Sequence, residues 1–160
     1  MNGRTLRFPI FLILTMMLAS PPGAFAQEPE YAAMEGVASV QAAFDFRVGD
    51  PDVALGHLEL IHSMVDDPVM MRNATRPEIV VVFIGQSVRL VSTEGNGSAA
   101  IADKISAMAE DGVRFEICMT AAHAHDVPAA SILPEIVQVG NGWISLIGYQ
   151  HQGYAMIADF

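Results

Sequence analysis

Cys118 is the only cysteine in the sequence, and it lies in the stretch FEICMTAAHAHDV (115–127). A thiolate is both a nucleophile and a metal ligand, and it forms most readily near positive charge or backbone N–H groups. His123 and His125 follow closely, and either could fold back to tune the thiolate or protonate a leaving sulfur. We therefore take Cys118, His123 and His125 as candidate catalytic residues. The alternative is an unreactive cysteine packed in the core, because free cysteine is among the most buried residue types.

The same stretch raises the question of a soft-metal site. Cys118 and Met119 would supply sulfur ligands beside a histidine nitrogen, and such a set suits copper(I). However, His123 and His125 are two positions apart, so they diverge on a helix and share a side only in an extended chain. This spacing favours solvated loop histidines. We predict no metal and no cofactor, and keep a copper binder as an alternative.

The first 26 residues predict a secretory signal peptide. MNGRTLR carries two arginines and no acid, FPIFLILTMMLA is apolar, and a small-residue stretch ends at Ala26. That order of regions is typical of an export signal. The apolar stretch is too short to span a bilayer comfortably, so no stable membrane insertion is expected. We predict cleavage after Ala26 and a periplasmic or secreted protein.

Length and charge limit what the mature chain can be. Residues 27–160 have the size of one domain. Loss of Arg4 and Arg7 leaves six basic residues against eighteen acidic ones, a formal charge of −12. Nucleic acid and anionic membrane surfaces are therefore unsuited as partners. A single cysteine cannot form an internal disulfide, and a chain of this size needs none for stability.

Strands and helices alternate along the chain. Residues 27–41 are weakly patterned and read as an N-terminal arm, whereas 77–85 is a continuous β-branched run typical of a strand covered on both faces. Further strands are predicted at 42–48, 113–118, 135–142 and 154–159, and helices from Asp50, over 98–111 and over 143–153. This alternation predicts a single-domain α/β fold over 42–160. Its architecture is a three-layer sandwich, with a mostly parallel sheet of about five strands flanked by helices.

The predicted fold gives Cys118 a special place. It ends a strand that we expect in the sheet interior, and ligands of open α/β sheets collect at the carboxyl ends of the strands. The loop that follows leads into a short helix, and backbone N–H groups at a helix start could lie near the thiol. This placement favours a reactive cysteine over a packed one.

Several segments resemble the DsrE/DsrF-like sulfur-relay family, from about Ala42 to Asp159. The matching pieces are FDFRVGDPDVALGHLELI, EIVVVFIGQSVRLV, MAEDGVRFEICMTAAHAHDV and LPEIVQVGNGWISLIGYQHQGYAMI. The resemblance implies a compact α/β domain that assembles as a homo-oligomer, a trimer or a hexamer. It also implies that Cys118 carries sulfane sulfur as a persulfide, with a sulfur donor or acceptor as partner.

The chain departs from that family in two respects. HAHD (123–126) stands where relay members commonly have basic residues and a glycine, and most relay members lack an export signal. We therefore expect an exported sulfur-handling protein. The alternative is a non-catalytic oligomeric binding or structural module of the same fold, in which Cys118 is merely packed.

Two further features are interpreted as structural. His62 lies on the apolar stripe of the first helix and is expected to be a hydrogen-bonded core histidine. GNGSAA (95–100) imitates a dinucleotide-binding loop, but it lacks the preceding strand-to-glycine turn. An ordinary loop at a helix start is expected there.

Overall fold

The computed structural model describes residues 31–71 and 75–158. The predicted signal peptide, residues 27–30 of the predicted arm and the last two residues lie outside the described residues. Within residues 31–40, a short 3₁₀ turn covers Ala32–Met34. No helix of the described ranges is long and apolar enough to cross a membrane.

Five parallel strands form one sheet in the order β4-β3-β2-β1-β5. The strands are β1 Gln41–Phe46, β2 Glu78–Phe83, β3 Arg114–Cys118, β4 Ile136–Val139 and β5 Ala155–Ile157. The helices are α1 Pro51–Ser63, α2 Ala99–Glu110, α3 Met119–Ala124 and α4 Gly142–His151. Short 3₁₀ segments cover Gly85–Val91 and Ala129–Ser131. The predicted α/β fold is confirmed, and every strand pair in the sheet is parallel.

Both faces of the sheet are covered, as the β-branched run of β2 predicted. The larger core packs α1 and α2 against one face, with Leu58, Phe83 and Phe115 among its fully buried side chains. On the opposite face, Leu146 and Tyr149 of α4 pack over small and β-branched strand residues. Three layers result, with α4 forming one outer layer.

The first helix begins where the sequence predicted, but some of its buried positions differ from the prediction. Asp50 caps it by accepting the N–H groups of Asp52 and Val53, both at 3.0 Å. The sequence pattern predicts a buried stripe of Leu55, Leu58, His62 and Val65. Leu58 and Val65 are buried as predicted, whereas Ala54 and Ile61 are buried in place of their neighbours Leu55 and His62. Adjacent helical positions lie about 100° apart, so a stripe read from the sequence can rotate by one residue.

His62 lies at the border of the core and is hydrogen-bonded, as expected. Its Nε2 lies 2.8 Å from Oδ2 of Asp111, just beyond the end of α2. This hydrogen bond lowers the pKa of the Asp111 carboxyl, and Arg76 adds to the effect. The pair ties α1 to the end of α2.

The glycines of the GNGSAA segment have a packing role. An added Cβ at Gly95 would lie 1.9 Å from the carbonyl oxygen of Arg89, and one at Gly97 would lie 1.9 Å from that of Leu90. The loop therefore runs directly against the backbone of the segment Gly85–Val91. Ser98 then caps α2 by accepting the Ile101 N–H at 3.3 Å. The expectation of a helix-start loop agrees with this geometry.

Candidate functional site

Cys118 lies where β3 ends and α3 begins. It is the last residue of the strand and the N-cap of the helix, and its Sγ accepts the backbone N–H of Ala121 at 3.4 Å. The strand is interior to the sheet, as predicted. The residue is 4% exposed. The Ala121 N–H is thus directed at the sulfur from the first turn of α3.

The first turn of α4 covers Cys118 from the other side. A Cβ added to Gly142 would lie 3.0 Å from the Cβ of Cys118 and 2.9 Å from two side-chain atoms of Ile84. The preceding turn is fixed by Thr120, whose backbone N–H and hydroxyl both donate to the Gly140 carbonyl, at 3.1 and 2.8 Å. Glycine at position 142 is therefore what allows the helix to approach the thiol so closely.

A cavity of about 300 Å³ opens beside the sulfur. Its lining includes the apolar side chains of Ile84 and Trp143, together with Cys118, Arg47 and His125. Such a volume falls at the lower end of the range for small-molecule sites. The cavity lies at the carboxyl ends of the strands, where the fold rule predicted a site.

The two candidate histidines are placed differently. His125 lines the cavity beside Cys118, and it also borders a neighbouring cavity of about 310 Å³. His123 is exposed in the last turn of α3 and is not among the lining residues. The structure thus brings Cys118 and His125 to one cavity and leaves His123 outside it.

The residues considered for copper are brought together only in part, since Cys118 and His125 line one cavity and Met119 lies elsewhere. Met119 packs against the larger core, whereas Cys118 belongs to the cluster on the opposite face of the sheet. Within residues 31–71 and 75–158, no group of three or more histidine, cysteine or carboxylate residues could hold a metal ion. The copper alternative, which uses Cys118 with His123 or His125, therefore stays a prediction.

Arg47 is a wall residue that the sequence analysis did not single out. Its Nε and Nη2 donate to the two carboxylate oxygens of Asp45 at 2.9 and 2.8 Å. The guanidinium also lies 5.7 Å from the centroid of the Trp143 ring. Its position directly after β1, at the carboxyl edge of the sheet, was the available signal.

Glu116 links the sheet to α4 close to the thiol. It precedes Cys118 by two residues on β3, and its carboxylate accepts the hydroxyls of Ser145 and Tyr149, both at 2.5 Å. Alternate residues of a strand share a face, so Glu116 and Cys118 both point towards α4. These hydrogen bonds fix the helix whose first turn covers the sulfur.

Tyr149 provides a spectroscopic test of that link. Burial, followed by the hydrogen bond to Glu116, raises the pKa of Tyr149 to about 12. Because the pKa is raised in the folded state, the stabilisation is complete below the unfolded value of 10.0 and is lost as the pH rises through the folded value. We expect Glu116→Gln to lower the Tyr149 pKa, which would stay above 10.0 because burial is the larger cause.

Tyrosinate absorbance measured against pH checks this expectation. Tyr149→Phe identifies the Tyr149 contribution among the three tyrosines of the chain. An unchanged midpoint in Glu116→Gln would contradict the hydrogen bond between these two side chains.

The fold of this chain is shared with proteins of known structure. The protein MTH1491 of Methanobacterium thermoautotrophicum matches with a TM-score of 0.63 and 18% identity, over 75% of this chain and 99% of that one. The ychN protein of E. coli matches with a TM-score of 0.58 and 8% identity, over 76% of this chain and 99% of that one. BT1422 of Bacteroides thetaiotaomicron matches with a TM-score of 0.58 and 17% identity, over 74% and 93% of the two chains. At these identities the likeness establishes the α/β fold class.

The sequence itself defines the family. Residues 50–158 match the model of the DsrE/DsrF-like family, and the chain belongs to that family. The resemblance stated from the sequence is thereby confirmed. No curated protein matches the chain closely enough to add a named relative. Membership points to a sulfur-relay type of function.

Proposed function

We propose that this protein is an exported sulfur-handling protein in which Cys118 carries sulfur as a persulfide. The observation that carries the proposal is the position of the Cys118 sulfur. It lies beside a cavity at the carboxyl end of an interior strand and accepts a backbone N–H. Export rests on the basic, apolar and small-residue pattern of residues 1–26. Such a protein would act in the periplasm or outside the cell.

The chemistry needs only one thiol. The Cys118 thiolate attacks the sulfane sulfur of a donor, a new S–S bond forms at Sγ, and the donor leaves as its own thiolate. An acceptor thiolate then attacks the outer sulfur and restores the Cys118 thiolate. No oxidant or reductant is consumed in either step. His125, which lines the cavity, is the proposed proton donor to a leaving sulfur.

Self-association is part of the same proposal. The outer surface of α4 exposes Trp143, Ile144 and Ile147, which are 56%, 69% and 55% accessible. Val137 on the edge strand β4 is 60% accessible. Aromatic and apolar side chains are enriched in protein interfaces, which supports a homo-oligomer, a trimer or a hexamer.

Sulfur loading tests the proposal directly. Purified residues 27–160 are incubated in separate reactions with polysulfide and with the persulfide of 2-mercaptoethanol, and the intact mass after each is measured beside a Cys118→Ser variant. We expect one added sulfur atom that is lost on reduction and is absent from the variant. His125→Ala is expected to slow the loading, while His123→Ala, two residues earlier at the end of α3, serves as its matched control and should load normally.

A packed, non-catalytic Cys118 is the second candidate, and its burial favours it. At 4% exposure the residue is less accessible than a freely reacting surface thiol. An unchanged mass, together with a thiol that resists alkylation until the protein unfolds, would refute persulfide carriage. The protein would then be a binding or structural module of the DsrE-like fold.

A further inference from the structure

The Arg47 guanidinium in the wall of the Cys118 cavity is already paired with a carboxylate. Arg47 contributes its guanidinium to the lining, and two parallel hydrogen bonds join it to the Asp45 carboxylate. Side-chain exposures of 39% for Arg47 and 21% for Asp45 leave the pair partly shielded from water. A two-point guanidinium–carboxylate pair of this kind is strong and geometrically specific. Arg47 therefore offers little net attraction to an incoming anion.

The Glu116 carboxylate on β3 adds negative charge near Cys118. Residues of a strand rise by about 3.3 Å each, so the Cα atom of Glu116 lies about 7 Å from that of Cys118 along β3. The Arg114 guanidinium stacks 5.3 Å from the centroid of the Tyr149 ring and offsets the Glu116 charge only in part. The donors to Glu116 are neutral hydroxyls, which stabilise its carboxylate without cancelling its charge. The chain as a whole has a formal charge of −10. A second anion beside a Cys118 thiolate is therefore electrostatically disfavoured.

The shape of the cavity points the same way. Its volume is about 300 Å³, and the apolar side chains of Ile84, Ala121, Ala124 and Trp143 form much of its wall. Apolar walls of small-molecule sites gain affinity by covering apolar parts of a ligand. A small inorganic anion has no apolar part that these walls could cover, whereas a sulfur compound with an organic group has one.

We propose that the sulfur donor at this site is a small organic persulfide with an uncharged organic group, and that the site discriminates against anionic sulfur compounds such as thiosulfate and sulfite. This inference rests on the proposed function. The donor reacts in its neutral, protonated form R–S–SH. The Cys118 thiolate attacks its terminal sulfur, forming Cys118–S–SH and breaking the donor S–S bond. The donor leaves as R–S⁻, the terminal hydrogen stays on the transferred sulfur, and the organic group R occupies the apolar part of the cavity.

Paired alkylating reagents test the charge selection without any sulfur donor. Iodoacetamide is neutral and iodoacetate is its anionic counterpart of similar size. We expect the ratio of their rate constants at Cys118 to exceed that of free 2-mercaptoethanol by about tenfold. Asp45→Asn removes the negative charge that pairs with the Arg47 guanidinium and should bring the ratio back towards that of the free thiol. Asp103→Asn, an exposed site on α2, removes the same charge and should leave the ratio unchanged.

The outcomes separate this inference from the proposed function. A reactive Cys118 with the reagent ratio of the free thiol would overturn the charge selection alone, as would an equal effect of the Asp45 and Asp103 substitutions. A thiol inert to both reagents until unfolding would overturn persulfide carriage, and this inference with it. As a direct check, the persulfide of 2-mercaptoethanol should load Cys118 faster than the persulfide of mercaptoacetate. Equal loading rates would count against the inference.

Discussion

Replacing Gly97 by alanine is expected to destabilise the folded protein by about 3 kcal/mol. The new Cβ would lie 1.9 Å from the Leu90 carbonyl oxygen, and the contact is with backbone that cannot rotate away. Leu90 itself is only 2% exposed, so its peptide is held in the core. The loop and the 3₁₀ segment would have to separate. Urea denaturation should show a lower midpoint with an unchanged slope.

Gly56 provides the matched control for that substitution. It lies inside α1, and an added Cβ there would meet nothing within 4 Å. Alanine is favoured over glycine in helices by about 1 kcal/mol, so Gly56→Ala should leave the protein as stable or more stable. A loss in Gly56→Ala as large as that in Gly97→Ala would show that the close backbone approach at Gly97 is not the cause.

The order of strands and helices could be predicted because local chemistry determines it. Asp50 and Pro51 begin α1 as N-cap and first residue, and Ser98 caps α2. Gly112 follows the C-cap residue of α2 and adopts a positive φ of 93°, a conformation that glycine takes most easily at a helix end. The continuous apolar run of β2 indicated a strand buried on both faces, and its residues Val80 and Val81 are both fully buried. Each of these signals lies within a few residues of its effect.

Such local signals could not predict how elements distant in the sequence are arranged in the fold. The strand order places β1 between β2 and β5, and no local pattern distinguishes this order from others. The apolar residues of the 3₁₀ segment Gly85–Val91 show no clear helical or strand periodicity. The conformation of this segment depends on its contacts with α3 and β3. The rotated stripe of α1 has a similar origin, because packing against α2 chooses between neighbouring helical positions.

The position of Cys118 could be predicted from the sequence, but most residues around its cavity could not. The end of an interior strand followed by a helix correctly placed Cys118 beside a helix N–H. Arg47 and Gly142 come from distant parts of the chain and meet Cys118 only in the folded sheet. His123 and His125 could not be distinguished by sequence, since the fold of the turn after α3 decides which one lines the cavity.

Gly142→Ala is expected to uncouple the start of α4 from Cys118. The added Cβ would lie 2.9 Å from Ile84 side-chain atoms and 3.0 Å from the Cys118 Cβ. Ile84 is 5% exposed and cannot simply swing into solvent, so the first turn of α4 must move outwards. We expect a loss of about 1–2 kcal/mol in the free energy of unfolding. Alkylation of Cys118 by iodoacetamide should become several-fold faster, because that turn covers the sulfur.

Gly148→Ala makes the same substitution six residues later in the same helix, where an added Cβ would meet nothing within 4 Å. It should preserve or raise stability by up to about 1 kcal/mol and leave the alkylation rate unchanged. If both variants accelerated alkylation equally, general loosening of α4 would be responsible. If Gly142→Ala lost stability while its thiol stayed as slow as in the parent protein, the first turn of α4 would not control access to Cys118. Faster alkylation in Gly142→Ala alone would identify that turn as the cover of the reactive sulfur, held in place from below by the Glu116 hydrogen bonds to Ser145 and Tyr149.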